Sequence, residues 1–131
     1  MNREIKMLKE KLKGLKVLYV EDEEEMRRGT ELFLNKFFSF VEIGKNGAEG
    51  LEKLKKNSFD IVFTDIMMPK VTGLEMLEKT QRDDNFFCIA LTASDVRENE
   101  MKSLIDLYFR KPITYENMSL IMRAIVRKFD L

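Results

Sequence analysis

No histidine occurs anywhere in the 131 residues. That absence removes the commonest general base, the commonest zinc ligand and any Ser-His triad. Chemistry must then be carried by carboxylates, lysine, hydroxyls or a hard metal ion. A single cysteine, Cys88, cannot close an internal disulfide. It lies in an apolar run and reads as an inert core residue of a reducing compartment. Net charge is missing too: 23 basic and 23 acidic residues cancel, so no overall basic field is available to hold nucleic acid. The charges are interspersed, which argues against a disordered tail. No apolar run is long enough to span a bilayer, and no signal-peptide pattern is found. A cytoplasmic chain without a membrane partner is the expectation. The length suits one domain with a single well-buried core.

What is present is alternation. Residues 1–14 are rich in Lys and Glu, and Ile5, Leu8, Leu12 and Leu15 fall three, four and three apart, as on one stripe of a helix. This segment is expected to be a weakly packed helical extension or linker, with the main domain over 15–131. Lys16 to Val20 reads as a first strand, followed by the acidic run Glu21 to Glu25. Met26, Thr30, Phe33, Leu34 and Phe37 give a helix over 24–38. Phe40 to Ile43 is a short second strand, and 47–57 a helix with Ala48, Leu51 and Leu54 inward. The apolar run over 60–65 ends in Asp65 and is punctuated beyond by Pro69 and Gly73. A short helix around Leu74 and Leu77 follows. Phe86 to Leu91 is an unbroken apolar run, the mark of a strand buried on both faces. Met101, Leu104 and Ile105 suggest a brief helix, Leu107 to Phe109 a last strand, and Met118 to Phe129 a last helical stripe. Such a pattern predicts an α/β fold of the flavodoxin-like kind: a doubly wound, five-stranded parallel sheet in the order 2-1-3-4-5, with helices on both faces.

That order puts the tips of the first and third strands side by side, where ligands of open α/β sheets bind. Glu21 and Asp22 then face Asp65. Three carboxylates cannot share a small space while ionised unless a cation is present. Oxygen-only ligation suits Mg²⁺, or Mn²⁺ in its place. An acidic first loop is also the opposite of a phosphate cradle. Lys111 at the tip of strand five and Thr92 at the tip of strand four could bind phosphoryl oxygens beside that cation. The chemistry is then nucleophilic attack by Asp65 on phosphorus, giving an acyl phosphate.

The chain resembles the receiver domain of bacterial two-component response regulators over residues 15–130. The resemblance rests on Glu21-Asp22 after strand one, on Asp65-Ile66-Met67-Met68-Pro69 with Gly73, on Leu91-Thr92-Ala93, and on Tyr108-Phe109-Arg110-Lys111-Pro112, in that order. It implies that Asp65 is the phosphoacceptor, supplied by a sensor histidine kinase or a histidine phosphotransfer protein. It implies that Asp22 ligates Mg²⁺ directly, that Glu21 acts mostly through water, and that the Met67 backbone carbonyl is a further ligand. It implies that Lys111 contacts a phosphoryl oxygen, with a cis bond to Pro112. Thr92 and Tyr108 become switch residues that reshape the face made by the helix after Thr92, the strand of Tyr108 and the last helix. That face is also where a homodimer would form. The chain would not be an enzyme beyond its own phosphorylation and slow dephosphorylation. It departs from the family pattern in Glu21, where Asp is usual, in the tight 94–107 segment, which lacks the usual Gly-Ala turn, and in the short helix after Gly73.

Other readings stand beside this one. A phosphatase of the haloacid dehalogenase type also uses an aspartyl nucleophile, but it needs a second Asp two residues on, where this chain has Met67. A flavodoxin-like cofactor binder is opposed by the acidic first loop. A degenerate receiver would serve only for docking. Plainer roles suit other residues: Glu23 to Glu25 answer a helix macrodipole, the methionines fill gaps, and Arg123 and Arg127 are solvated charges off the last apolar stripe.

Overall fold

The computed structural model describes residues 2–68, 70–80, 86–93 and 104–131. In chain order the elements are α1 (Arg3–Leu12), β1 (Lys16–Val20), α2 (Glu24–Leu34), β2 (Phe40–Gly44), α3 (Gly47–Lys56), β3 (Ile61–Asp65), α4 (Gly73–Lys79), β4 (Phe87–Thr92), β5 (Leu107–Arg110) and α5 (Tyr115–Lys128). All strand pairs are parallel, and the order is β2-β1-β3-β4-β5, as the alternation predicts.

Side-chain alternation along each strand divides the core in two. Val17, Tyr19, Ile61, Phe63, Ile89 and Leu91 face the layer that holds Leu34 of α2 and Met118, Ile121, Met122 and Ile125 of α5. Leu18, Val20, Val62, Cys88 and Ala90 face Met76 and Leu77 of α4, with Leu51 and Leu54 of α3 packed alongside. Every residue of β3 and β4 is buried. Their sequences run apolar up to buried polar residues at the carboxyl tips, Thr64 and Asp65 in β3 and Thr92 in β4, while β2 at the sheet edge alternates with solvent.

Local chemistry starts the helices where the pattern needs them. Asn2, Glu23, Asn46, Thr72 and Thr114 stand at the N-caps and accept hydrogen bonds from first-turn amides. Such caps satisfy donors that the helix cannot. Thr72 and Glu75 make a full capping box, which allows α4 to be short. Asp60 lies just outside β3; its carboxylate accepts from the Lys16 amide at 2.8 Å and so closes the start of β1. Asp106 serves β4 in the same way through the Cys88 amide at 2.7 Å.

Three expectations change. The N-terminal helix is not weakly packed: Ile5, Leu8 and Leu12 are buried in the core layer of α5. Burial of aliphatic side chains of this size contributes roughly 1.5–3 kcal/mol each, far more than the exposed ion pairs around them. Arg123, expected to be solvated, pairs with Glu4 of α1 through Nε at 2.5 Å, and Lys11 Nζ donates to the Leu131 carbonyl at 3.3 Å. The second helix stops at Leu34 instead of continuing to residue 38. The turn beyond it still buries Phe37 and Phe38. Met101 and most of the predicted brief helix lie outside the described residues; Leu104 and Ile105, at its end, are in non-helical backbone.

Candidate phosphoacceptor and metal site

The carboxyl ends of β1, β3, β4 and β5 converge. Asp65 is the last residue of β3 and pairs in register with Leu91, next to Thr92 at the end of β4. Thr92 pairs with Arg110, and its carbonyl accepts the Lys111 amide at 2.8 Å, which carries the ladder one residue past β5. The Lys111-Pro112 bond is cis. The Lys111 side chain reaches across the tip of β4 to Asp65 of β3.

Its ammonium is the electrostatic centre of the site. Lys111 Nζ lies 2.8 Å from Asp65 Oδ2 and 2.6 Å from Glu21 Oε1. Glu21 is fully buried and Asp65 nearly so. Glu21 Oε2 accepts from the Glu23 amide at 3.2 Å, and Asp65 Oδ1 from the Met67 amide at 3.3 Å. Burial pushes the Glu21 carboxyl above its ordinary range, and Lys111 and the Glu23 amide pull it part of the way back. Burial alone would lower the lysine; its bonds to Asp65 and Glu21 outweigh that and hold it above its ordinary value. The opposite charges at hydrogen-bond distance offset part of the cost of burying all three groups.

Glu21, Asp22 and Asp65 each bring a carboxylate oxygen within 4.8 Å of the other two. One ammonium does not neutralise three carboxylates. A set of oxygen donors, partly buried and over-charged in this way, fits a hard dication. The half-exposed side of Asp22 leaves a path to solvent.

The loop that carries the acceptor is held by close backbone approaches. The Gly73 amide donates to the Ile66 carbonyl at 3.0 Å, and a Cβ on Gly73 would lie 2.1 Å from the Asp65 carbonyl oxygen. A Cβ on Gly47 would lie 2.2 Å from the Val71 carbonyl oxygen. Both positions exclude a side chain because the β3–α4 connection is folded against the strand tip.

Of the residues predicted from sequence, Glu21, Asp22, Asp65 and Lys111 are brought together. Thr92 is buried at the adjoining strand tip. Tyr108 is half-buried in β5, packed against the α3/α4 side of the sheet. Met67 projects into solvent, 72% exposed, just past Asp65. Pro69 lies outside the described residues, as do residues 94–103 of the tight segment. One contributor was not legible beforehand. Arg27 of α2 reaches back to the acidic loop, its Nη1 3.2 Å from the Glu21 carbonyl and 3.3 Å from that of Asp22. Nothing in the sequence distinguishes it from Arg28, which makes an exposed ion pair with Glu24.

The family model of the response regulator receiver domain matches residues 17–123. The response regulator ArlR of Staphylococcus saprophyticus is 32% identical over 116 residues, which is 86% of this chain and 53% of that protein. The chain spans about half the length of the ArlR relatives it matches. Hybrid signal transduction histidine kinase D of Dictyostelium discoideum is 35% identical over 108 residues, 78% of this chain and 7% of that one. Among solved structures, a CheY-like response regulator receiver domain protein from Methanospirillum hungatei superposes with a TM-score of 0.77 at 26% identity, covering 91% of this chain and 98% of its own. No helix among the described residues is long and apolar enough to cross a membrane. With its sheet order, its acid cluster at the switch point and a matching family model over most of its length, this chain belongs to the response regulator receiver domain family.

Proposed function

We propose that this receiver domain accepts a phosphoryl group on Asp65 from a phosphohistidine of a partner kinase or phosphotransfer protein. The reading rests on one observation above the rest: Lys111 Nζ at 2.8 Å from Asp65 Oδ2, beside the oxygen cluster of Glu21, Asp22 and Asp65. In the step, an Asp65 carboxylate oxygen attacks phosphorus, the phosphorus–nitrogen bond of the donor breaks, and the imidazole leaves with that electron pair. Asp22 and Asp65, with Glu21 and the Met67 carbonyl, would hold Mg²⁺, which when bound neutralises charge on the phosphoryl oxygens. Lys111 moves from its carboxylate partners toward a phosphoryl oxygen and keeps its positive charge throughout. The Thr92 hydroxyl offers a further donor to the same group. The chain has no histidine to act as donor itself. Receiver domains of response regulators are partnered with histidine kinases, and a kinase of that class is the proposed partner here. Modification changes the charge at the tips of β3 and β4, next to Thr92, and the neighbouring Tyr108 strand carries that change to the surface. The domain is not an enzyme acting on other molecules.

Intact mass after incubation with acetyl phosphate, with and without Mg²⁺, tests the reading. One added phosphoryl group that needs Mg²⁺ and is lost in Asp65→Asn is expected. Full labelling of Asp65→Asn would move the acceptor elsewhere. Catalytic consumption of the donor without an adduct would indicate a hydrolase. Neither adduct nor consumption would leave a docking platform.

A further inference from the structure

The acidic loop leaves the sheet abruptly. The last bond tying it to a strand is the Glu21 amide donating to the Gly44 carbonyl at 3.1 Å. Beyond that point the carbonyls of residues 21, 22 and 23 have no strand to pair with, because β2 ends at Gly44. All three are held by one residue of α2. The Arg27 amide donates to the Glu23 carbonyl at 2.9 Å as the first helical bond. The Arg27 side chain takes the other two: Nη1, with two N–H donors, serves the Glu21 carbonyl at 3.2 Å and the Asp22 carbonyl at 3.3 Å. The residues whose carbonyls its side chain grips are the two of this loop whose carboxylates join Asp65 in the acid cluster.

We infer that Arg27 is a positioning residue for the cation site: it staples the β1–α2 loop so that the Glu21 and Asp22 carboxylates stay aimed at Asp65 against their mutual repulsion. The inference rests on the reading of that cluster as a metal site. The loop has reason to spread, because three like charges crowd it and, of the three, Lys111 pairs with Glu21 and Asp65, leaving Asp22 outside those pairs. A small dication demands near-ideal geometry, so a loop that spreads between binding events binds weakly. Arg27 does not reach the metal; it acts through the backbone that carries two of the ligands, as outer partners of metal sites do.

The inference makes a prediction opposite in sign to simple electrostatics. Arg27 is a positive charge beside a cation site. If it were only that, its removal would tighten a dication. If it is a staple, its removal weakens the dication despite the lost repulsion. Arg28 supplies a control of equal charge one residue on: its side chain is exposed and it pairs with Glu24.

The experiment is direct Mn²⁺ binding to the whole chain, followed by the loss of the free-ion EPR signal, for wild type, Arg27→Met, Arg27→Lys, Arg28→Met and Asp22→Asn. Far-UV CD and thermal unfolding of each variant without metal accompany it. The expected results are a Kd about tenfold weaker for Arg27→Met, the usual scale for losing an outer partner, and about threefold weaker for Arg27→Lys, which keeps the charge on a shorter stem without the planar fork. Arg28→Met should stay within about twofold of wild type, since exposed charges are screened. An unchanged or tighter Kd in Arg27→Met overturns the staple. So does a loss in Arg27→Met matched by an equal loss in Arg28→Met. No Mn²⁺ binding by wild type, or wild-type affinity in Asp22→Asn, instead overturns the reading of the cluster as a metal site, and the staple falls with it.

Discussion

Replacing Gly73 by alanine is expected to destabilise the domain, although the same replacement at Gly29 should stabilise it. Gly73 is the first residue of α4 and Gly29 lies inside α2. Neither has a positive φ, so alanine fits both backbones. In a helix it gains about 0.5–1 kcal/mol over glycine, chiefly by lowering the entropy of the unfolded chain. At Gly29 nothing lies within 4 Å of the added Cβ, and that gain should be seen whole. At Gly73 the added carbon would sit 2.1 Å from the Asp65 carbonyl oxygen, 3.1 Å from its carbonyl carbon and 3.1 Å from Ile66 Cα. All three obstacles are backbone, and the strand behind them is buried on both faces. Reaching ordinary contact needs a shift of about 1 Å or more between α4 and the tip of β3. Overpacking of that kind costs about 1–3 kcal/mol in a well-packed interior, so the clash outweighs the gain. For a domain of this length a net loss of about 1–2 kcal/mol lowers the Tm by roughly 3–10 °C. Urea or thermal unfolding of both variants beside wild type reads the result. Equal or higher stability for Gly73→Ala would refute the reasoning, because it would mean that the acceptor loop yields freely and does not hold Asp65 in place.

Two further outcomes follow from burial. Leu12→Ala should cost about 2–5 kcal/mol because Leu12 is fully buried, whereas Met7→Ala, on the same helix but 59% exposed, should stay within about 0.5 kcal/mol; similar small effects in both would restore the view of α1 as a loose extension. The Tyr19 phenol is fully buried in β1, and burial raises its pKa above the ordinary value of 10.0. The unfolded chain therefore releases that proton first: the contribution is fully present below about pH 10 and is lost as pH rises through the folded value. Urea titrations above about pH 10 should show a shallower fall in Tyr19→Phe than in wild type; parallel curves would mean that the phenol ionises alike in both states.

The strands, their order and the acids at their tips were legible because each is written locally. A central strand is buried on both faces, and β3 and β4 are apolar up to their carboxyl tips. A parallel sheet binds at its carboxyl ends, so Asp65 and Lys111 could be placed from the ends of apolar runs alone. Glu23 could be read as a helix start for the same reason, since an N-cap needs only its own first turn. Chain order and crossover handedness then brought Glu21 and Asp22 opposite Asp65.

Where a residue's role depended on what crosses over to meet it, sequence was silent. Ile5, Leu8 and Leu12 make the same helical stripe whether a partner covers it or not; only the course of α5 decided that they are buried and that Arg123 finds Glu4. Arg27 and Arg28 are alike as letters, and the rotation of α2 about its axis put one over the acidic loop and left the other in solvent. Lys111 could be placed at a strand tip, but only the packed side chains show that its ammonium sits between Glu21 and Asp65. The physical division is one of range: periodicity, capping and strand ends are properties of a few consecutive residues, whereas pairing, burial of a helix face and the aim of a long cationic side chain are settled only when distant segments are packed together.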